Sequence, residues 1–146
     1  MAMKFKVYTD EEFDALQKKV YKDLSLTADN VHQKILDLPK YYTTYRKKYF
    51  DQRRLLKNIN NDIKRTRKKR YHYYKFDNED RGYIVDTYNE RMLYVDGDDE
   101  VCDLMMLHDK QEAIVEFLKS VISQLDKMSY NIRSYIDLEK LRNGSM

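Results

Sequence analysis

Hydrophobic residues recur at alternating spacings of four and three along two long stretches of the chain. A repeat of this kind, averaging about 3.5 residues, is typical of helices that pack along a coiled-coil-like seam. We therefore predict one long helix in each stretch. The first series is Val31, Ile35, Leu38, Tyr42, Tyr45, Tyr49, Gln52, Leu56, Ile59 and Ile63, and the second is Leu104, Leu107, Gln111, Ile114, Leu118, Val121, Leu125, Met128, Ile132 and Tyr135.

The beginning of the chain carries signals for helix starts. Thr9 followed by Glu12 has the spacing of a capping box, so a first helix is predicted to begin there. Thr27 is a candidate for a second start. Pro39 lies inside the first heptad series and leaves two alternatives open: the long helix begins at this proline, or it kinks there.

The region between the two series is predicted to be less regular. Residues 75–86, which include Gly82, are expected to form a loop, and residues 88–94 a short turn of helix. Residues 96–100 are acidic and should form a turn and then a helix N-terminus, where the helix dipole favours negative charge. An EF-hand calcium loop is excluded, because Gly97 directly follows the first acid instead of the third acidic position. Gly144 is predicted to cap the end of the last helix.

Composition favours an all-α fold of long helices, because the 146 residues include only three glycines and one proline. We predict one structural unit. Residues 1–76 would hold the N-terminal helices and a basic, aromatic segment, residues 77–99 a connecting loop region, and residues 100–144 a C-terminal oligomerisation helix. With 36% charged residues and a mean hydropathy of −0.88, the core is expected to be thin, which favours a homo-oligomeric helical bundle. An intramolecular antiparallel hairpin fits the pattern nearly as well.

Charge is distributed unevenly along the chain. Residues 40–76 carry a net charge of +12, whereas residues 1–39 carry −1 and residues 77–146 carry −8. Six of the seven side chains in residues 64–70 are cations, and their repulsion predicts a segment that is poorly ordered until a polyanion binds. Arg70 would also be a costly unpaired charge in the heptad seam. We therefore expect the packing to stop near Ile63 and the helix to run out of its bundle.

Aromatic residues directly follow these cations, and base stacking on such rings is worth about 1–3 kcal/mol per base. Because the bases of a duplex are already stacked, cations bordered by rings favour single-stranded DNA. Cations upstream, from Arg46 to Lys57, lie off the seam and could extend the electrostatic track. The predicted nucleic-acid-binding residues are Lys64, Arg65, Arg67, Lys68, Lys69, Arg70, Tyr71, Tyr73 and Tyr74.

Little in the sequence supports catalysis or metal binding. His32, His72 and His108 share no metal-ligand spacing with Cys102, and neither a glycine-rich phosphate loop nor a Ser-His-Asp order is evident. We therefore expect no enzymatic activity and no cofactor. The single Cys102 fits a reducing, cytoplasmic location and is expected to be packed and unreactive between its acidic neighbours. The sequence contains no stretch of about 18 consecutive apolar residues, so no membrane association is expected.

With the basic run followed by Tyr73-Tyr74, the chain resembles the UvsY family of recombination mediators from T-even-type bacteriophages. The resemblance spans nearly the full length, and the order and spacing of its motifs carry it. The element Lys68-x-Arg70-x-x-Tyr73-Tyr74 looks like the DNA-binding motif of the family. The other matching parts are Leu16-Gln17-Lys18-Lys19, residues 96–103, Phe117-Leu118, Ile132-Arg133 and Asn143-Gly144. Two departures are the more basic motif, with Lys69 and His72, and a following loop with a single glycine.

The resemblance implies a ring-like helical homo-oligomer, a hexamer or heptamer, in the cytoplasm of an infected bacterial host. It also implies binding to single-stranded DNA and help for a RecA-like recombinase in displacing the single-strand DNA-binding protein. By matching positions, Lys68 and Arg70 would be the principal DNA contacts, with Tyr73 and Tyr74 beside them.

Other interpretations of the basic segment stay open. A charge run can be a solvated helix face, although such a face rarely lacks acids over thirteen residues, as residues 64–76 do. Binding to an anionic membrane would require an apolar face opposite the charges, which is missing here. A coiled-coil protein that binds duplex DNA is the main alternative, but basic zippers place their cations before the zipper. A further alternative is a phage structural or assembly protein whose basic charge is incidental to its function.

Overall fold

The computed structural model describes residues 5–76 and 87–144. The regular elements in these two ranges are all α-helices: α1 (Asp10–Leu24), α2 (Val31–Phe76), α3 (Tyr88–Asp96) and α4 (Asp99–Arg142). The prediction of an all-α fold with long helices is confirmed. Within the same two ranges, no helix has both the length and the apolar character required to cross a bilayer.

The start of α1 has the predicted capping box. The Thr9 hydroxyl accepts a hydrogen bond from the Glu12 backbone N–H at 3.1 Å, and the Glu12 carboxylate accepts one from the Thr9 N–H at 3.2 Å. These two bonds satisfy N–H groups that have no partner inside the helix. The first helix therefore begins where the sequence indicates.

The second helix begins at Val31, after a turn in which the Asn30 side chain accepts a hydrogen bond from the Thr27 N–H at 2.8 Å. It continues without interruption through Pro39. The alternative in which the long helix begins at this proline is therefore wrong. A proline removes one hydrogen bond from the helix interior, and the Thr43 hydroxyl donates to the Pro39 carbonyl at 3.0 Å.

The C-terminal half follows the predicted order of a short helix, an acidic turn and a long helix. Gly97 ends α3, and α4 begins at Asp99. Gly144 has a φ of 69°, a left-handed conformation typical of the residue that ends a helix, and its N–H donates to the Leu141 carbonyl at 3.2 Å. Of the predicted loop at residues 75–86, the first two residues are helical, and the rest lie outside the described residues.

The second heptad series forms the most buried face of the molecule. Seven successive members of the series are at most 5% exposed: Gln111, Ile114, Leu118, Val121, Leu125, Met128 and Ile132. In the first series only Val31, Tyr45, Ile59 and Ile63 reach the buried class. The spacing thus identified the packed face of α4 correctly, while most of the corresponding face of α2 is half-buried.

The chain divides into two compact units. Unit 1 consists of Met1–Val7 and Arg53–Ala113, and unit 2 of Tyr8–Gln52 and Ile114–Met146. Each unit combines a part of α2 with a part of α4 from the same chain. An intramolecular antiparallel hairpin, the alternative to a homo-oligomeric bundle, predicts that the two heptad series pack in this way.

In unit 2, α1 is tied to the other two helices. The rings of Phe13 and Phe117 lie 5.6 Å apart. The hydroxyl of the fully buried Tyr45 donates to the Asp23 carboxylate at 2.6 Å, and the Lys34 ammonium donates to the Asp23 carbonyl at 2.6 Å. Burial and the hydrogen bond to Asp23 raise the pKa of Tyr45 well above its ordinary value, so this phenol stays protonated and keeps donating.

Candidate nucleic-acid interface

The last six turns of α2, which belong to unit 1, present a row of exposed cations on one side of the helix. We call Lys57, Lys64, Lys68 and Lys75 the lysine stripe. They are spaced by seven, four and seven residues, which places them on one side of an α-helix over a length of about 27 Å. All four are exposed, and within the part of the chain that the structure describes none of them forms an ion pair.

A second row of exposed side chains borders the lysine stripe. It contains Arg65, His72 and Phe76, again on one side of the helix. The rings of His72 and Phe76 have their centroids 4.6 Å apart, and Phe76 is 58% exposed. The Lys75 ammonium lies 5.1 Å from the centroid of the Phe76 ring. This side of α2 therefore combines positive charge with accessible aromatic surface.

The opposite side of the same helix faces the first turn of α4. Arg70 lies about 160° around the axis from Lys68, and its Nε donates to the Asp98 carboxylate at 2.7 Å. The Asp98 side chain is 4% exposed and the Arg70 side chain 20%. The Tyr74 hydroxyl donates to the same carboxylate oxygen at 2.8 Å. Asp98 thus joins two side chains of α2 to the beginning of α4.

Asp98 also caps α4. Its second carboxylate oxygen accepts from the backbone N–H of Glu100 at 3.0 Å and of Val101 at 3.4 Å, groups that have no partner inside the helix. Burial opposes ionisation, but the hydrogen bonds from Tyr74, Arg70 and the Val101 N–H outweigh it and lower the pKa of Asp98. Burial and the bond to Asp98 likewise raise the pKa of Tyr74. The carboxylate is therefore an anion with a full set of donors.

Further contacts surround this ion pair. The Arg70 guanidinium lies 4.2 Å from the centroid of the Tyr73 ring, within cation–π distance. Two neighbouring cations of α2 also face acids: Arg67 lies 2.8 Å from Asp96, and Lys69 lies 3.9 Å from Glu100. The tyrosines pack as well, since the rings of Tyr74 and Tyr94 are 5.5 Å apart and those of Tyr71 and Tyr88 are 6.1 Å apart.

The structure therefore divides the predicted binding residues between two sides of α2. Lys64, Arg65 and Lys68 are exposed and form no ion pair with described residues, and Lys69 is 72% exposed. The other five are half-buried: Arg67, Arg70, Tyr71, Tyr73 and Tyr74. Four of them contact α3 or the start of α4, and the Tyr73 ring lies against Arg70 and Tyr74 of α2 itself. The expectation that the helix runs out of its bundle after Ile63 is wrong, because residues 64–76 continue α2 and one side of them is packed.

The residues that sequence reasoning missed are the anions Asp96, Asp98 and Glu100. The sequence predicts a turn and a helix N-terminus for these acids, and the structure has both there. Their pairing with the basic segment had one signal in the sequence: a block of −8 follows a block of +12. That signal identifies no pair, because the net charge of a block does not specify which of its side chains meet in the fold.

One further sequence expectation concerns the single cysteine. Cys102 is exposed, so the prediction of a packed cysteine is wrong; its thiol lies 3.4 Å from the Asp96 carbonyl.

His108, Asp109 and Glu112 bring three potential ligand atoms within 4.8 Å of one another. Both acids are exposed, and the histidine ring nitrogen lies 3.2 Å from Asp109, which is an ordinary surface contact.

Fold and charge together define a small all-helical protein whose longest helix has a cation-rich, ring-bordered side. A family model described as "Recombination, repair and ssDNA binding protein UvsY" matches residues 3–145. The chain therefore belongs to the UvsY family, as the sequence resemblance indicates.

A solved structure supports the same fold. The crystal structure of the bacteriophage T4 recombination mediator protein UvsY superposes with a TM-score of 0.77 at 14% identity, covering 89% of this chain and 98% of the T4 chain. No curated protein sequence matches the chain.

Proposed function

We propose that this chain is a recombination mediator that binds single-stranded DNA through the exposed side of α2 in unit 1. The observation that carries this proposal is the lysine stripe: four exposed lysines on one side of a helix, without an acid among residues 64–76. Mutual repulsion makes such a row unfavourable in isolation. A polyphosphate relieves the repulsion and gains entropy by releasing its own counterions.

Accessible rings support a preference for single strands. Phe76 and His72 border the stripe, and an unpaired base can stack on an exposed ring, whereas a base inside a duplex cannot. Tyr73 and Tyr74, which the sequence motif places at the DNA, are half-buried beside Arg70 and Asp98. We therefore assign base stacking to Phe76 and His72, and the packing of α2 to the two tyrosines.

Assembly would multiply these contacts. We propose a homo-oligomer, a hexamer or heptamer, in which several lysine stripes meet one strand, so that weak contacts add through effective concentration. Exposed apolar side chains in unit 2 support a further interface: Leu36 is 74% exposed, Leu138 57% and Leu141 60%. Light scattering coupled to gel filtration measures the subunit number.

A strand held at several points is a substrate that a recombinase can use. In this proposal, the oligomer loosens the single-strand DNA-binding protein from the DNA segment that it holds. The freed DNA is then accessible to a RecA-like recombinase in the cytoplasm of the host. The protein itself supplies binding energy and geometry, and no chemical step. Filament formation on DNA precovered with the single-strand-binding protein, with and without this chain, measures that role.

The decisive experiment is competition between oligo-dT and a duplex of equal length over a salt series. We expect tighter binding to oligo-dT. If four cations per subunit meet phosphates, log K should fall by roughly 3 per tenfold rise in salt, since each contact with a single strand contributes about 0.7. Equal affinity for both forms would contradict the single-strand assignment.

A further inference from the structure

We propose that Arg70 is a positioning residue, and that its function is to hold the DNA-binding helix on Asp98 instead of contacting DNA. This inference rests on the proposed function, because it concerns the same interface. It reassigns the arginine of the Lys68-x-Arg70 motif, whose two cations fall on different sides of α2. Lys68 remains a DNA contact in this arrangement.

The guanidinium of Arg70 is already engaged on several sides. Its Nε donates to Asp98 at 2.7 Å, and its Nη1 lies 3.9 Å from Glu100. Its Cζ lies over the Tyr73 ring, 4.2 Å from the ring centroid. The side chain is only 20% exposed. A phosphate would therefore have to enter between two helices and approach two carboxylates, which repel it.

Releasing Arg70 to DNA would also be unfavourable for the anion left behind. Asp98 is 4% exposed, and removing one partner of a buried ion pair leaves an uncompensated charge. The same carboxylate caps α4 and receives the Tyr74 hydroxyl. Asp98, Arg70 and Tyr74 thus act as one clamp, which fixes how the last turns of α2 are rotated about their axis.

That rotation decides which side chains reach DNA. Lys68 and Lys75 lie on the side of α2 away from Asp98, so a clamp on one side presents the lysine stripe on the other. Loss of the clamp should weaken DNA binding even though no phosphate contact is removed. The salt dependence then separates the two roles, because it counts the phosphate contacts directly.

The test compares Asp98→Asn, Arg70→Lys and Arg70→Gln with Lys68→Gln, in full-length protein. For each variant, oligo-dT affinity is measured over a salt series, well below the midpoint of thermal unfolding. Asparagine is nearly isosteric with aspartate and is an equally good helix cap, so Asp98→Asn keeps α4 intact. Arg70→Lys keeps the charge but loses the flat, forked geometry that contacts Asp98 and Tyr73.

A positioning role predicts that Asp98→Asn and both Arg70 variants bind oligo-dT about fivefold or more weakly, a coupling of ordinary size, with the slope of log K against log salt unchanged. Lys68→Gln should instead lower that slope by about 0.7. A double variant, Asp98→Asn with Arg70→Gln, should bind no more weakly than either single variant.

Other outcomes overturn the inference. Unchanged or tighter binding by Asp98→Asn, together with a lower slope for Arg70→Gln, would show that Arg70 contacts phosphate. Wild-type affinity in all three clamp variants, with only lower unfolding temperatures, would show that the pair merely stabilises the fold. An unchanged slope for Lys68→Gln would instead contradict the proposed interface, whatever the clamp variants do.

Discussion

Arg70 and Asp98 lie 28 positions apart in the sequence and form an ion pair with a 2.7 Å contact. One belongs to the most basic part of the chain and the other to the acidic part that follows. Because the pair is largely buried, the two charge blocks are not independent surfaces: acids at the start of α4 neutralise one side of α2. The other side keeps its lysines exposed, so substitutions on the two sides of α2 should have different effects.

The stability contributed by Asp98 should depend on pH. Hydrogen bonds lower its pKa below the ordinary value of 3.8 in the folded chain, so the folded state favours the anion. The contribution is therefore complete above pH ~4 and is lost as pH falls through the folded-state pKa. We expect Asp98→Asn to lower the free energy of unfolding by about 1–3 kcal/mol at neutral pH. Thermal unfolding should show the variant and the wild type becoming more similar in stability below pH ~4.

A matched control for Asp98→Asn is Asp96→Asn. Asp96 also pairs with an arginine, Arg67, at 2.8 Å, but its side chain is 57% exposed. Exposed pairs contribute about 0–1 kcal/mol, so this variant should unfold almost as the wild type does. Equal destabilisation by both substitutions would contradict the special position of Asp98.

The lysine stripe should determine the salt dependence of DNA binding. Replacing Lys64 and Lys68 with glutamine removes two phosphate contacts, so the slope of log K against log salt on oligo-dT should fall by about 1.4. The control replaces Lys119 and Lys127, which are exposed on α4, and alters the net charge equally. If the slope fell to the same extent in both double variants, DNA binding would depend on the total charge of the protein and not on a particular side of α2.

Phe76 should contribute to affinity without affecting the salt slope. Phe76→Leu keeps apolar bulk but removes the flat ring, and stacking of a base on such a ring is worth about 1–3 kcal/mol. We expect oligo-dT binding to weaken by roughly tenfold, which corresponds to about 1.4 kcal/mol. Tyr130→Leu is the control, because Tyr130 is 71% exposed on α4. Fluorescence titration measures both, and unchanged binding by Phe76→Leu would exclude this ring.

Unit 2 can be tested separately from DNA binding. Tyr45→Phe removes the 2.6 Å hydrogen bond to Asp23 and keeps the buried ring. Hydrogen bonds to a charged group are worth about 1.5–3 kcal/mol, so the free energy of unfolding in urea should fall by that amount. Tyr21→Phe on α1, where the side chain is 79% exposed, should leave it unchanged. The oligo-dT salt slope should be that of the wild type in both variants.

The sequence anticipated the helices because their signals are local. The capping box at Thr9, the acidic start of α4 and the glycine at position 144 each act over a few residues. The heptad series on α4 was equally informative, because residues three and four positions apart share a helix face regardless of the partner. Pro39 was ambiguous, since a proline is compatible with a first turn and also with an interior position that packing stabilises.

The sequence supplied only part of what defines the candidate binding site. It identified the candidate segment, residues 64–76, from its charge and its rings. From the sequence alone, Arg70, Tyr73 and Tyr74 could not be distinguished from Lys64 and Lys68 as binding residues. No local signal separates a side chain that faces solvent from one that faces a carboxylate or packs against a neighbouring side chain.

By itself, then, the sequence determined an all-helical chain of the UvsY family with a concentrated basic segment near the middle. Only the tertiary structure decided which side of that segment is available. The physical reason is that helix periodicity and net charge are properties of neighbouring residues, whereas the pairing of Arg70 with Asp98 depends on where α4 begins in space.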